Sequence, residues 1–170
     1  MDVVKVNLVP ETWIIAPVVT KEQLERWYSK GWIDDEGLHL DRAFPRNSDG
    51  EPMIFRMWLR SPVNKVVEKH NLDRKLLDFR IIDDDSYETN YIVIPDKPLK
   101  YRRSIKTGNK TTTEYFEYID GTFELEFSVK THDVKNLISS LMLAGKEVGL
   151  LSRTKHGYGK FSIKVINSET

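Results

Sequence analysis

Residues 123 to 165 constrain the fold most strongly, because one helix pattern lies there between two strand patterns. Apolar and polar residues alternate from Phe123 to Val129, which is typical of a strand with one buried face. A helix pattern follows, with its apolar residues on one face: Val134, Leu137, Ile138, Leu141 and Met142. KFSIKVI then predicts a final strand. A strand, a helix and a strand in this order bury one face of a sheet beneath the helix.

The first part of the chain has the same order of patterns. VKVNL, residues 4 to 8, alternates as a strand does, and Thr20 caps a first helix. PMIFRMWLRS, residues 52 to 61, predicts another strand, and Ser61 and Pro62 predict the start of the helix that follows. The two units together predict an α+β, ferredoxin-like fold, in which two helices pack on an antiparallel sheet.

Two segments stand out from this pattern. Residues 34 to 52 are rich in Gly, Asp, Asn and Pro and poor in apolar residues, so we interpret them as an insertion. Residues 97 to 119 predict a hairpin whose turn is TGNK and whose second arm is rich in Thr, Tyr and Phe. The 170 residues are enough for one domain with its own core. We therefore predict a single domain over residues 1 to 170, with an insertion and a hairpin.

The balance of charges excludes any argument from net charge. Lys plus Arg and Asp plus Glu number 26 each, so a partner has to be inferred from the local distribution of charge. The absence of cysteine excludes disulfides and thiolate metal sites. The first residues lack the basic and apolar regions of a signal peptide, and no apolar run approaches the roughly 18 residues of a membrane span. We therefore expect a cytoplasmic protein with no membrane partner.

Known catalytic and metal-binding patterns are missing from the sequence. The four histidines lie in different segments, without the spacing of a metal site, and there is no Walker loop. The GxG formed by Gly157 and Gly159 precedes a strand, whereas the dinucleotide fingerprint opens a helix. We therefore expect no metal and no cofactor, and we regard a binding function as better supported than an enzymatic one.

Basic residues are concentrated in two segments despite the neutral total. Residues 97 to 110 contain six cations and no acidic residue, and residues 146 to 164 contain five cations and one glutamate. Tyr101, Tyr115 and Tyr158 lie in or beside these segments. Aromatic rings among cations are typical of proteins that bind single-stranded nucleic acid, because the rings stack on bases while the cations neutralise phosphates. An ordinary solvated hairpin and loop has the same composition, so this pattern alone leaves both readings open.

The second basic segment also contains the glycines Gly149, Gly157 and Gly159, which bracket the basic run SRTKH. Glycine permits positive φ and close backbone approach. One reading is a helix end at Gly149 followed by a tight turn. This reading explains each glycine separately, but it does not explain why the run between them is basic.

Three segments in order resemble the RAMP superfamily, the repeat-associated proteins of CRISPR effector complexes and their stand-alone phage and archaeal relatives. LAGKEVGLLSR followed by HGYGKF is similar to the glycine-rich segment near the C-terminus of these proteins. PMIFRMWLRSPVNKVVEKH resembles the segment in which a strand leads into a helix, although Ser61 stands where the family usually has glycine. PLKYRRSIKTGNKTTTEYFEYIDGTFELEFSV resembles the protruding basic hairpin. The resemblance covers roughly residues 52 to 166.

This resemblance implies an RRM-like fold and non-enzymatic binding of single-stranded RNA or DNA, with self-association along the strand or with other subunits of a nucleoprotein complex as partners. It also implies the residues that line the nucleic acid, on the helix, the hairpin and the loop: Arg60, Lys100, Arg102, Arg103, Lys106, Arg153, Lys155, His156, Tyr158 and Lys160.

Two alternative functions remain open at this stage. The first is a metal-independent endoribonuclease in which His156 acts as a general base, which also requires a second acid or histidine. The second is a viral or host protein-interaction module. Its support is the number of tryptophans, four in 170 residues, which allows an exposed aromatic patch: Trp13, Trp27, Trp32 and Trp58.

Overall fold

The computed structural model describes residues 1–169. Its strands are β1 Asp2–Pro10, β2 Ile14–Ile15, β3 Met53–Phe55, β4 Arg80–Ile82, β5 Glu88–Thr89, β6 Tyr91–Val93, β7 Leu99–Thr107, β8 Lys110–Ile119, β9 Leu125–Thr131 and β10 Phe161–Glu169. Its α-helices are α1 Lys21–Ser29, α2 Arg56–Lys69 and α3 Val134–Leu143. None of the helices in this part of the chain has the length and apolar composition needed to cross a membrane.

The largest sheet has the strand order β10-β1-β9-β4-β5, and every neighbouring pair in it is antiparallel. The helix α2 lies between β1 and β4 in sequence, and α3 lies between β9 and β10. Strands and helices in this order form the split βαβ arrangement, in which each crossover leaves room for one strand between its two ends. The expected α+β class with an antiparallel sheet is confirmed.

The helices α2 and α3 cover one face of this sheet and form the core with it. Val4, Val6 and Leu8 of β1 are buried on that face, as their alternation predicts. Leu137 and Leu141 of α3 are fully buried, but Met142, which we expected on the same stripe, is 45% exposed. The buried stripe continues three and four residues after Leu141, at Ala144 and Gly145 of the π-helical turn Ala144–Val148 that follows α3.

The opposite face of the sheet is polar and is held by charge pairs. The Lys5 ammonium lies 2.9 Å from a carboxylate oxygen of Glu126, and the Asn7 amide donates to Glu124 at 3.3 Å. In the part of β1, β9 and β10 that the structure describes, the residues that alternate onto this face include no aromatic ring. This face therefore differs from the sheet face on which RRM domains stack bases.

The strand predicted over residues 52 to 61 is wrong beyond Phe55. The helix α2 begins at Arg56, so Ser61 does not cap it and Pro62 lies inside it. Alternation and helical spacing coincide over these few residues, and the apolar positions Leu59, Pro62, Val63, Val66 and Val67 form one buried helix face. The proline removes one backbone donor from the helix, which the buried packing of that face outweighs.

The hairpin of β7 and β8 belongs to a second sheet with the order β2-β8-β7. Its two-residue turn places Gly108 at φ +62°, which glycine adopts without strain. Residues 34 to 52 pack against this sheet: the Arg46 guanidinium lies 2.8 Å from the buried Glu117 carboxylate, and the Phe44 amide donates to the same carboxylate at 3.0 Å. A buried charge that is paired and hydrogen-bonded in this way holds the segment in one position.

Candidate nucleic-acid interface

The glycine-rich loop, residues 149 to 160, closes on itself through backbone hydrogen bonds. The Leu150 amide donates to the Gly159 carbonyl at 2.9 Å, and the Gly159 amide donates to the Trp13 carbonyl at 2.7 Å. A Cβ on Gly159 would lie 2.3 Å from the Leu150 carbonyl oxygen, and its φ is +83°. Gly149 is similarly enclosed, with a virtual Cβ 3.0 Å from the Tyr158 carbonyl oxygen. The loop's own closure therefore requires both glycines, and Gly157 faces open space.

The segment before and within β2 fixes the position of this loop. The Thr12 hydroxyl donates to the Gly157 carbonyl at 2.9 Å and accepts from the Lys160 amide at 3.0 Å. Farther along, the Ser152 amide donates to the Ile15 carbonyl at 3.3 Å. The loop therefore runs beside β2, and β2 pairs with β8 of the hairpin. These contacts bring the two basic segments to one side of the molecule.

Four aromatic side chains meet where the loop and the hairpin join, and we call them the aromatic cluster: Trp13, Tyr101, Tyr118 and Tyr158. The Trp13 and Tyr118 rings are stacked with centroids 4.0 Å apart. Tyr101 approaches Trp13 edge-on at 5.3 Å, and Tyr158 lies 6.4 Å from it. Tyr101 is 42% exposed and the other three are half-buried, so the cluster presents ring surface to solvent. Burial raises the pKa of the Tyr118 phenol above its ordinary value.

Three arginines converge on one glutamate beside the loop, and we call this group the arginine cluster: Arg42, Arg103 and Arg153 around Glu114. The Arg153 guanidinium contacts both carboxylate oxygens of Glu114. The Nε of Arg42 lies 3.5 Å and the Nη2 of Arg103 lies 3.6 Å from that carboxylate. The cluster ties together the hairpin, the glycine-rich loop and the segment 34 to 52.

The alternation of β7 divides the predicted hairpin cations between two faces. Arg103 lies on the face that meets the glycine-rich loop, together with Tyr101. Lys100 and Arg102 lie on the other face, where the Lys100 ammonium is 3.7 Å from Asp34 and Arg102 stacks over the Tyr115 ring at 4.5 Å. The hydrogen bond from the Gly37 amide and the charge of Lys100 lower the pKa of Asp34. Lys106 is exposed near the hairpin turn, on the same side as Lys100.

Arg60 lies apart from the other predicted residues. It belongs to the middle of α2, not to its start, and lines a separate depression of about 640 Å³ with Arg56, Arg80 and His132. The resemblance therefore assigned it to a surface that it does not share with the glycine-rich loop. The part of α2 that does face the loop contains Trp58 and Lys65.

The cations of the loop itself are accessible. Lys155 and His156 are exposed in a short 3₁₀ turn, Thr154–His156, and Lys160 is half-buried at the loop's end. Within residues 1–169, the His156 side chain makes no hydrogen bond or ion pair with another residue, and no group of three potential metal-ligating side chains is found. Of the other histidines, His70 is hydrogen-bonded to Glu147 at 3.0 Å.

Four residues of this surface were not predicted as part of it: Trp13, Arg42, Glu114 and Tyr118. Tyr118 follows Phe116 by two residues in β8, so alternation places it on the same face as Tyr101, and this signal was available in the sequence. Arg42 and Glu114 carry no local signal, because their meeting depends on how the segment 34 to 52 packs on the hairpin.

The chain is similar to known proteins in its structure and not in its sequence. No protein-family model matches the sequence, and no curated protein is similar to it. The structure is similar to a chain of the type III-B Cmr-beta complex, solved by cryo-electron microscopy bound to cognate target RNA, with a TM-score of 0.67 and 12% sequence identity. The match covers 99% of this chain and 61% of that chain, so this chain spans about three fifths of its length. The chain therefore shares the fold of a chain of a CRISPR-type III-B complex over nearly its whole length.

Proposed function

We propose that this chain binds single-stranded RNA at the surface shared by the glycine-rich loop and the hairpin. The observation that carries the proposal is the aromatic cluster, in which rings from both basic segments and from Trp13 meet at a solvent-accessible position. Aromatic rings stack on unpaired bases of any sequence, and nearby cations neutralise the phosphates. Lys155 and Lys160 supply such cations on the same loop.

The comparison with the Cmr-beta structure supports RNA as the nucleic acid and other subunits as partners. That complex is bound to target RNA, and the matched chain is one part of it. By analogy of fold, we propose that this chain acts as a subunit of a nucleoprotein assembly of the effector type. The polar, charge-paired face of the large sheet favours the loop and hairpin as the binding surface, because the described residues of β1, β9 and β10 on this face include no aromatic ring.

Fluorescence anisotropy with a labelled 20-nucleotide single-stranded RNA tests this proposal. We expect wild-type protein to bind, with an affinity that falls steeply between about 50 and 200 mM salt. Tyr101→Ala should weaken binding by about 5- to 150-fold, since stacking contributes about 1–3 kcal/mol per base. Tyr87→Ala is the matched control, because Tyr87 is 72% exposed in a turn of a different segment.

Three outcomes contradict the proposal in distinct ways. No binding by wild-type protein at low salt would exclude the function. Equal affinities of Tyr101→Ala and Tyr87→Ala would exclude the aromatic cluster as the stacking site. Tighter binding of DNA than of RNA of the same sequence would exclude RNA as the preferred strand. The same samples on a denaturing gel show whether the RNA stays intact, as a binding function requires.

A further inference from the structure

The arginine cluster contains more positive charge than its glutamate neutralises. Three guanidinium groups surround one carboxylate, so the cluster carries two unbalanced positive charges. Each guanidinium has about five N–H donors, and a carboxylate has about four acceptor positions. The Nε atoms of Arg103 and Arg153 are buried and have no hydrogen-bond partner among the described residues. One arginine would balance the Glu114 carboxylate, so the cluster holds more cations than this ion pair requires.

Part of the cluster lies in the wall of an open cleft of about 610 Å³. The side chains of Arg42, Glu114 and Arg153 reach the cleft, and Lys21 adds a further cation. The second carboxylate in the wall, that of Asp41, already accepts a hydrogen bond from the Tyr115 amide at 2.8 Å. The cleft is therefore accessible to a ligand and positive on balance. Because the arginine side chains are only 24 to 28% exposed, their charges are screened less than those of surface lysines.

The backbone holds Arg153 in place at a cost. Leu151 and Arg153 have φ values of +64° and +61°, a left-handed conformation that costs a non-glycine residue roughly 1–2 kcal/mol. Ser152 lies between them, donates to the Ala16 carbonyl and accepts from the Arg42 guanidinium, each at 2.9 Å. Strain of this kind is found where a side chain must be positioned for a ligand. The arginines are thus oriented before any ligand arrives.

We propose that the arginine cluster is a binding site for one phosphate group of the bound strand, and that Glu114 occupies the position of this phosphate in the free protein. The phosphate competes with the Glu114 carboxylate for the guanidinium donors, because each anion presents two oxygen atoms that can accept two parallel hydrogen bonds from an arginine. This inference rests on the proposed function for the identity of the strand, but the anion site itself is defined by the cluster.

The test is the salt dependence of RNA binding by two charge variants. Glu114→Gln should bind the 20-nucleotide RNA more tightly, because it removes the competing anion. Arg42→Gln should bind more weakly, with a log–log salt slope shallower by up to about 0.7, the value for one phosphate on a single strand. Glu126→Gln is the matched control: it changes the net charge as Glu114→Gln does, but on the open face of the large sheet. Glu114→Gln and Glu126→Gln with equal affinities would overturn the proposal.

Inorganic pyrophosphate gives a readout that needs no RNA and does not depend on the Glu114 variant folding. Pyrophosphate should raise the thermal midpoint of the wild-type protein, as a ligand of the folded state does, and raise that of Arg42→Gln less. If pyrophosphate stabilises wild type more than Arg42→Gln but wild type does not bind RNA, the anion site is supported and the proposed function is excluded. If wild type binds RNA and Arg42→Gln behaves like wild type in both assays, the proposed function is retained and the arginine cluster is excluded as the anion site.

Discussion

At the scale of single residues, the interface depends on several residues with positive φ values. The sequence predicts this conformation for some of them and not for others. The positive φ values of Gly157 and Gly159 follow from the residue type, and the sequence predicts a loop there. The positive φ values of Leu151 and Arg153 have no such signal, because neither residue favours this conformation. They arise because the loop has to run beside β2 while it closes between Leu150 and Gly159.

Replacement of the two loop glycines by alanine should have unequal effects on stability. Gly157→Ala should cost about 1–2 kcal/mol, the strain of a left-handed alanine, because its Cβ meets open space. Gly159→Ala should cost more, because its Cβ also meets the Leu150 carbonyl oxygen and disrupts the closure of the loop. Urea denaturation of both variants measures the difference. Equal losses of unfolding free energy would show that the closure seen here does not stabilise the loop.

At the scale of elements, the hairpin shows how alternation divides a basic segment between two surfaces. Tyr101 and Arg103 face the glycine-rich loop, and the cations that alternate with them face residues 34 to 52. Counting cations along β7 therefore overestimates the charge that one face presents. The register of the hairpin can be predicted from the sequence. The sequence does not predict which segments cover each of its faces.

The connection between α2 and the π-helical turn should make stability depend on pH. Glu147 accepts from His70 at 3.0 Å and from Lys69 at 3.2 Å, and these hydrogen bonds, with His70 contributing most, lower the pKa of its carboxyl. A carboxyl with a lowered folded-state pKa stabilises the protein above its unfolded pKa of about 4.3, and this contribution is lost as pH falls through the folded value.

We therefore expect Glu147→Gln to have a lower thermal midpoint than wild type at pH 7. The difference should shrink as pH falls below about 4.3 and vanish once pH is below the lowered folded-state pKa of Glu147. Calorimetric or fluorescence melts from neutral to acid pH measure it. Glu68→Gln, an exposed neighbouring change on α2, is the control and should follow wild type throughout. A difference between Glu147→Gln and wild type that is constant with pH would contradict the ionic origin of this contact.

At the scale of the whole molecule, a chain with zero net charge separates its charged groups by surface. On the open face of the large sheet Lys5 pairs with Glu126 and Lys164 with Glu124, whereas the loop carries exposed cations such as Lys155. Local excess of charge, not the total, attracts a phosphate backbone. The fold alone does not reveal which surface carries the excess of positive charge, because in RRM domains the open face of the same kind of sheet binds the nucleic acid.

Two charge reversals with the same effect on net charge test which surface binds RNA. Lys155→Glu should weaken binding and make the salt slope shallower, because the loop loses a phosphate contact. Lys164→Glu should stay within about 2-fold of wild type, since Lys164 lies on the open face, 3.9 Å from Glu124. Anisotropy titrations at several salt concentrations compare the two. A larger loss of affinity for Lys164→Glu than for Lys155→Glu would indicate that RNA binds to the open face of the large sheet.

The sequence by itself determined the elements whose pattern is local: β1, β9, α3, the capped start of α1, the hairpin and its turn, and the position of the glycine-rich loop. Each of these follows from periodicity or from a residue type with a particular backbone preference. The tertiary structure alone decided that α2 begins at Arg56, that Arg60 lies apart from the loop, and that Arg42 meets Glu114. These features depend on contacts between residues far apart in the chain, and such contacts leave no periodic trace in either partner's segment.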